Sequence, residues 1–203
     1  MSDLKTNVTL NYSNVAVSTQ TNLRKEFLKL QNDFSLNILY IRASKFIKCT
    51  CYNNLYKSGD ANCPMCFGRG YLNSIQMVRA IKGAASYEQV GKIISQIGVI
   101  TKDNELFYMS NEVVPNISDL IVVTKYNGDN EPVEAHSVFD VQTAIPVHGD
   151  HGRIEFYAVV TKIRSDKQKA VNKMIKGLDK KAKVYLSKGM RYKCYLPKKW
   201  KTL

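Results

Sequence analysis

Four cysteines in the first third of the chain form two close pairs. One residue separates Cys49 from Cys51, two residues separate Cys63 from Cys66, and eleven residues lie between the pairs. Such pairs can place four thiolates at the corners of a tetrahedron, which is the usual geometry of structural zinc sites. Because four thiolates leave no open position for water, the spacing predicts a structural Zn²⁺ and not a catalytic one.

Other features of the segment bear on this interpretation. Gly68 and Gly70 follow the second pair and permit the positive φ that a turn beneath a metal-bound thiolate often needs. The one-residue gap of the first pair is less common in zinc knuckles than a two-residue gap. Cys63 and Cys66 also have the spacing of a redox dithiol, and the thiols would form disulfides in an oxidising medium.

The expected compartment favours free thiols. Residues 1–18 lack a basic start followed by an apolar block, so no secretory signal is expected. No run approaches the roughly 18 apolar residues of a membrane span. We therefore expect synthesis in a reducing cytoplasm, where thiols stay reduced. Cys194 lies outside the cluster and is predicted to be a small buried side chain on a strand.

No catalytic motif accompanies the cysteines. The sequence contains no Gly-rich phosphate loop, nucleophile elbow or paired-carboxylate motif. Of the three histidines, His136 stands alone, whereas His148 and His151 flank Gly-Asp. A His-Gly-Asp-His loop can bind a metal, but turn chemistry explains it equally well. The sequence predicts a binding or assembly protein and not an enzyme.

Positive charge is concentrated at the C-terminal end. The 203-residue chain has a formal net charge of +13. Residues 165–203 hold thirteen Lys or Arg and two acidic residues, which is +11 of that total. Such an excess is typical of chains that meet nucleic acid or acidic protein surfaces, although many basic soluble proteins bind neither.

The periodicity predicts an α+β, mainly β fold. Apolar residues at three- or four-residue spacing indicate a helix over about Thr21–Asp33, with Thr21 as N-cap and one apolar stripe, Leu23, Phe27, Leu30 and Phe34. Short apolar runs between turn sequences predict a small antiparallel β-barrel or sandwich. These candidate strands are Ile38–Ile41, Tyr71–Ile81, Gly98–Thr101, Leu106–Met109, Leu120–Tyr126, Ser137–Ile145 and Arg153–Arg164.

The C-terminal part has its own pattern. A helix from Ser165 is expected to carry an apolar stripe, Gly177 leaves its end undefined, and two short strands, Lys183–Leu186 and Arg191–Leu196, follow. The stripe comprises Ala170, Val171, Met174, Ile175 and Leu178. We divide the chain into a flexible arm (1–19), helix and strand (20–48), zinc-binding segment (49–72), β-barrel (73–164) and basic helix plus hairpin (165–203).

The motifs resemble a viral family. The run from Leu23 to Tyr71 contains a helix, an apolar strand, a basic stretch, then Cys-x-Cys-Tyr and Cys-Pro-x-Cys-x-Gly-x-Gly-Tyr. This order resembles the neck or head-completion proteins of tailed bacteriophages, and Ser118–Ile121 and Gly152–Tyr157 are similar to their β-domain. The resemblance covers about residues 20 to 164. The cysteine run is also similar to the zinc segment of J-domain chaperones, but those carry four repeats and a His-Pro-Asp tripeptide, whereas this chain has one repeat and no such tripeptide.

The resemblance implies a virion structural role. It implies a homo-oligomeric ring in the neck that joins the portal and head to the tail, contacts portal or adaptor and tail-terminator-type proteins, and lines the channel for double-stranded DNA. Assembly would take place in the host cytoplasm. The alternative is a cytoplasmic zinc-ribbon nucleic-acid-binding protein, whose bases would stack on Tyr185, Tyr192, Tyr195 and Trp200. Those aromatic residues are also compatible with a packed β-hairpin.

Overall fold

The computed structural model describes residues 22–83, 104–149, 152–178, 183–187 and 190–195. Helix α1 spans Leu23–Phe34, and helix α2 spans Gln168–Lys176 after a 3-10 turn at Ser165–Lys167. The strands are β1 Leu36–Lys48, β2 Tyr71–Gly83, β3 Asn104–Ser110, β4 Leu120–Tyr126, β5 Pro132–His148, β6 Ile154–Ile163, β7 Lys183–Ser187 and β8 Met190–Tyr195. The predicted mainly β class is confirmed.

Six antiparallel strands of the described residues close into a barrel. Their order is β1-β4-β5-β6-β3-β2, and β2 pairs again with β1 from Leu36↔Ala80 to Lys48↔Tyr71. The 17-residue strand β5 pairs with β4 through its first part and with β6 through its later part. A register shift between Val141 and Thr143 in the β5–β6 pairing lets this long strand bend around the barrel.

The apolar run on β1 has both faces buried. Ile38 and Tyr40 point into the barrel with Phe107 and Ile121. Leu39 and the other alternate residues point outward into a second cluster beneath α2. Since successive side chains of a strand face opposite ways, a strand covered on both sides needs apolar residues at every position. The structure thus extends the predicted Ile38–Ile41 strand and makes it part of the barrel, outside the 73–164 range assigned to the barrel from sequence.

Helix α2 packs against β5 and over the outer side chains of β1 and β4. Val171, Met174, Ile175 and Leu178 are buried against a cluster that includes Leu120 and Val122. The predicted stripe is confirmed, and the helix, whose end the sequence left open, ends at Lys176 with Gly177 as its C-cap. The opposite face exposes Lys169, Lys173 and Lys176, so α2 is strongly amphipathic.

Helix α1 differs from expectation in its cap and its buried face. The N-cap is Asn22, whose Oδ1 accepts a hydrogen bond from the Lys25 amide at 3.2 Å. The buried residues are Phe27, which stacks on Phe156 at 4.6 Å between ring centroids, and Gln31, which donates to the Arg79 carbonyl at 2.7 Å. The predicted apolar stripe is only partly buried, because Phe27 is buried whereas Leu23, Leu30 and Phe34 are exposed.

The C-terminal hairpin extends the sheet beside β2. Strand β8 pairs with β2 from Ile75↔Tyr195 to Met77↔Lys193, and β7 pairs with β8. Strands β8 and β3 pair with different parts of β2, since β3 pairs with Ala80–Gly83. The predicted arm 1–19, the candidate strand Gly98–Thr101 and Trp200 lie outside the described residues, as do the side chains of Tyr185, Tyr192, Cys194 and Tyr195.

Candidate metal centre

The cysteine segment, residues 49–70, is the connection between two paired strands. The β1–β2 ladder ends at Lys48↔Tyr71, so the ladder holds the two ends of the segment together. Cys49 follows β1 directly, and its amide donates to the Gly70 carbonyl at 2.8 Å. The barrel therefore closes the base of the segment, and we call residues 49–70 the cysteine arm.

The four sulfurs converge on one point. The Sγ atoms of Cys49, Cys51, Cys63 and Cys66 all lie within 4.8 Å of one another. Three of the Sγ–Sγ distances are 3.3 Å (Cys51–Cys66), 3.5 Å (Cys49–Cys51) and 3.7 Å (Cys49–Cys63). A tetrahedral site with Zn–S bonds of about 2.3 Å has sulfurs about 3.8 Å apart. The thiols are free, and the cluster can hold one metal ion.

Backbone hydrogen bonds shape a turn around each cysteine pair. In the first pair the Tyr52 amide donates to the Cys49 carbonyl at 2.9 Å. In the second pair the Phe67 amide donates to the Cys63 carbonyl at 2.9 Å. The metal-binding geometry is therefore built into the backbone, and the one-residue gap of the first pair does not prevent convergence.

Three glycines let the backbone pass close to the sulfurs. Gly68 and Gly70 have φ of +85° and +77°, as the sequence predicted. A Cβ on Gly70 would lie 2.5 Å from Tyr52 Cδ2 and 3.0 Å from the Ser58 carbonyl carbon. Gly59, which sequence reasoning missed, is as tight, since its Cβ would lie 2.7 Å from Cys66 Sγ. The only sequence signal for Gly59 is its place in a Ser-Gly-Asp turn between the cysteine pairs.

Burial and backbone amide donors have opposite effects on the pKa values of the cysteine thiols. Burial raises the pKa of Cys66, and the amides of Gly68 and Gly70 counteract part of that rise. Burial likewise raises the pKa of Cys49. Burial also acts to raise the pKa of Cys51, but the amide of Asp60 and the neighbouring thiols outweigh it and leave that pKa below its usual value. Amide donors aimed at sulfur stabilise thiolates, the form that binds a metal.

Two polar side chains fasten the arm to the barrel, and sequence reasoning found neither. Arg69, three residues after Cys66, is half-buried and donates from Nη2 to the Ser118 carbonyl. Burial lowers the pKa of Arg69, and the charges of Asp140 and Asp119 oppose that effect. Asn73 Nδ2 donates to the Met65 carbonyl at 2.8 Å. Neither Arg69 nor Asn73 belongs to a motif that predicts such a contact.

Beneath Arg69, an acid is buried at the barrel end. Asp119 Oδ2 accepts hydrogen bonds from the Tyr40 hydroxyl and from the Asn116 amide, the latter at 3.1 Å. Burial and the hydrogen bond to Asp119 raise the pKa of Tyr40, so Tyr40 remains the donor. The arm thus stands on a polar network that is continuous with the barrel interior.

The histidines form no second centre in the described part of the chain. His148 ends β5 opposite Ile154, His136 lies on the exposed side of β5, and His151 lies outside the described residues. Within that part, the four cysteines are the group of Cys, His, Asp or Glu that can hold a metal.

Two sequence comparisons were informative only in finding no match. A scan against protein-family models gives no match, and neither does a search of curated protein sequences. Among the described helices, none has both the length and the apolar character needed to cross a membrane.

Proposed function

We propose that the four thiolates bind one structural Zn²⁺. Soft thiolate ligands in a tetrahedral array favour zinc or iron among the common metals, and a site closed by four protein ligands leaves no position for substrate. Metal analysis of protein purified without chelator should give about one zinc per chain. Less than half an equivalent of zinc, or an equivalent of iron with its thiolate absorption bands, would refute the assignment.

We infer that the chain is a structural protein of a tailed-bacteriophage neck, where it forms a ring between the portal and the tail. The observation that carries this proposal is the closed β-barrel with a cysteine arm inserted between two adjacent strands. The arm stands at the place in the chain where the resemblance to head-completion proteins is strongest. A closed barrel has no free edge strands and supplies a stiff ring wall, and a metal stiffens an arm too small for its own core.

A ring around packaged DNA would need a basic inner face. Helix α2 offers one, since Lys169, Lys173 and Lys176 project from the same side of the helix and are exposed. Clustered lysines attract phosphates through charge and without base specificity. Portal or adaptor proteins and tail-terminator-type proteins would contact the two rims of the ring.

The ring proposal is tested on particles. Mass spectrometry of purified virions should detect the chain, and imaging of the neck at side-chain resolution should place the barrel in a ring below the portal. Absence of the chain from intact particles would refute the proposal.

The same lysines support a second candidate, a cytoplasmic zinc-dependent nucleic-acid-binding protein. This candidate predicts DNA binding by the isolated chain, with an affinity that falls steeply as salt rises. Replacing Lys169, Lys173 and Lys176 by Gln should reduce the salt dependence by about three phosphate contacts. No binding at about 50 mM salt would exclude this candidate and leave the connector, whose DNA contacts require the assembled ring.

A further inference from the structure

The cysteine arm ends in an exposed apolar tip. Leu55 and Tyr56, which we call the arm tip, are 88% and 78% exposed. Their amides donate to Asn53 Oδ1 at 2.8 and 3.4 Å, and Asn53 pairs with Ser58 across the turn. The turn therefore holds the arm tip in a defined shape, and a preorganised apolar contact loses little entropy on binding.

A second exposed apolar surface lies on α1. Leu23, Leu30 and Phe34, which we call the helix stripe, project from one side of the helix beside its buried face, and Phe34 is 69% exposed. The helical positions of Glu26 and Asp33, both exposed, put two acids along the outer border of the stripe. The helix stripe is thus an apolar row whose nearest exposed charges are the acids Glu26 and Asp33, with Lys29 one step farther from the row.

The arm tip carries the opposite charge. Lys57 is exposed directly after Tyr56. Lys48 reaches the same turn, with Nζ 3.4 Å from Asn54 Oδ1 and 4.5 Å from the centre of the Tyr52 ring. The two surfaces therefore match in both respects, since each is apolar at its centre and their borders carry opposite charges.

The two surfaces lie at opposite ends of β1. The helix stripe precedes Leu36 and the cysteine arm follows Lys48, so 13 residues of strand, on the order of 40 Å, separate them. The network of Arg69 and the β1–β2 ladder fix the arm to its own end of the barrel. An arm tip can consequently reach a helix stripe only on another copy of the chain.

We propose that the arm tip of one subunit docks on the helix stripe of the next subunit, with Lys48 and Lys57 against Glu26 and Asp33. The contact joins two different surfaces, so it repeats from copy to copy and closes into a ring when the rotation allows. This inference rests on the proposed ring and assigns the contact that builds it.

Complementation between two variants tests the contact. The full-length zinc-loaded chain should self-associate in sedimentation velocity and light scattering over a concentration series. Leu55→Asp with Tyr56→Asp, and separately Leu30→Asp with Phe34→Asp, should each weaken association by roughly 30-fold or more. Mixed together, the two variants should form a one-to-one dimer, because the first keeps its helix stripe and the second keeps its arm tip.

Matched controls separate docking from misfolding. Val133→Asp alters a residue on β5 that is 54% exposed and should leave association unchanged. All variants lie on exposed positions and should keep their zinc and their circular dichroism. If an aspartate variant loses its fold, charge reversal replaces it: Glu26→Lys with Asp33→Lys should weaken association, and adding Lys48→Glu with Lys57→Glu should restore it.

Three results would overturn the contact. They are a wild-type chain that stays monomeric up to about 100 µM, a tip variant that assembles like wild type, and a mixture of the two variants that stays monomeric. Failure of this contact is distinguishable from failure of the neck assignment. If the chain forms a ring through these surfaces but is absent from virions, only the neck role is refuted. If the chain forms a ring in the neck through other contacts, only the docking is refuted.

Discussion

Replacing Gly70 by alanine should weaken metal binding strongly while leaving the barrel folded. The Gly70 carbonyl accepts the Cys49 amide, and its own amide faces the Cys66 thiol, so this residue joins both cysteine pairs. Its φ of +77° lies in the region that side-chain-bearing residues rarely adopt. Any displacement of Gly70 therefore shifts ligands from both pairs at once.

The expected magnitude has two parts. A left-handed backbone costs an alanine about 1–2 kcal/mol. The added Cβ meets Tyr52 at 2.5 Å and the Ser58 backbone at 3.0 Å, and relieving such overpacking costs about 1–3 kcal/mol. Because an alanine variant can relax this strain only by moving the ligands out of the metal-binding arrangement, both costs fall on the binding free energy. The sum of about 2–5 kcal/mol corresponds to roughly 30- to 4,000-fold weaker binding.

Competition against a chromophoric zinc chelator measures this change directly. Gly128→Ala is the matched control, since a Cβ at Gly128 meets nothing within 4 Å and should change zinc affinity less than about twofold. Circular dichroism should show the same β content in both variants. A zinc affinity of Gly70→Ala within threefold of wild type would show that the arm backbone adjusts freely. It would refute the conclusion that the backbone at Gly70 fixes the positions of the cysteine ligands.

Three further changes test separate parts of the molecule. Cys63→Ser should lower zinc affinity by more than about 100-fold yet keep the cooperative unfolding transition of the barrel, and loss of the barrel's circular dichroism would contradict this. Burial acts to raise the pKa of Glu155, but hydrogen bonds and charge from Arg153 and Arg24 hold that pKa below its usual value. The ionised Glu155 carboxylate therefore stabilises the folded chain above about pH 4.3. This stabilisation is lost as the pH falls through the lower pKa that Glu155 has in the folded chain. Acid unfolding of Glu155→Gln should lack this component, and an unchanged pH profile would exclude it. Arg69→Met should speed amide exchange in the cysteine arm without releasing zinc, and unchanged exchange would show that Arg69 does not fasten the arm.

The sequence pattern predicted an element correctly where a single rule, such as turn residues at both strand ends or helical spacing, determines that element. Strand Leu120–Tyr126 was predicted with its observed bounds, because turn residues border it on both sides and apolar residues fill most of its buried positions. The buried stripe of α2 followed from helical spacing alone. The close packing of the four cysteine sulfurs also follows from local spacing, because each pair sits on one turn.

Pattern failed where long-range polar contacts decided the structure. Helix α1 lies over the rim of the barrel, where strand carbonyls and a buried acid need donors. Gln31 meets the Arg79 carbonyl and Arg24 meets Glu155 at 2.8 Å, so these polar residues take the inner face in place of Leu30 and Phe34. A hydrophobicity pattern cannot predict this outcome, since the partners lie 48 and 131 residues away in the chain.

The barrel and the cysteine arm are stabilised in different ways. The barrel core contains no cysteine, so the described strands close without help from the metal. A metal bound by the four cysteines would instead order a 22-residue arm whose small apolar cluster is made largely of those cysteines. Phe67 anchors the arm in the main apolar cluster outside the barrel, whereas Leu55 and Tyr56 stay exposed in a fixed turn and add little to the stability of their own subunit. The proposed docking on the exposed row of α1 in another copy would bury these two side chains.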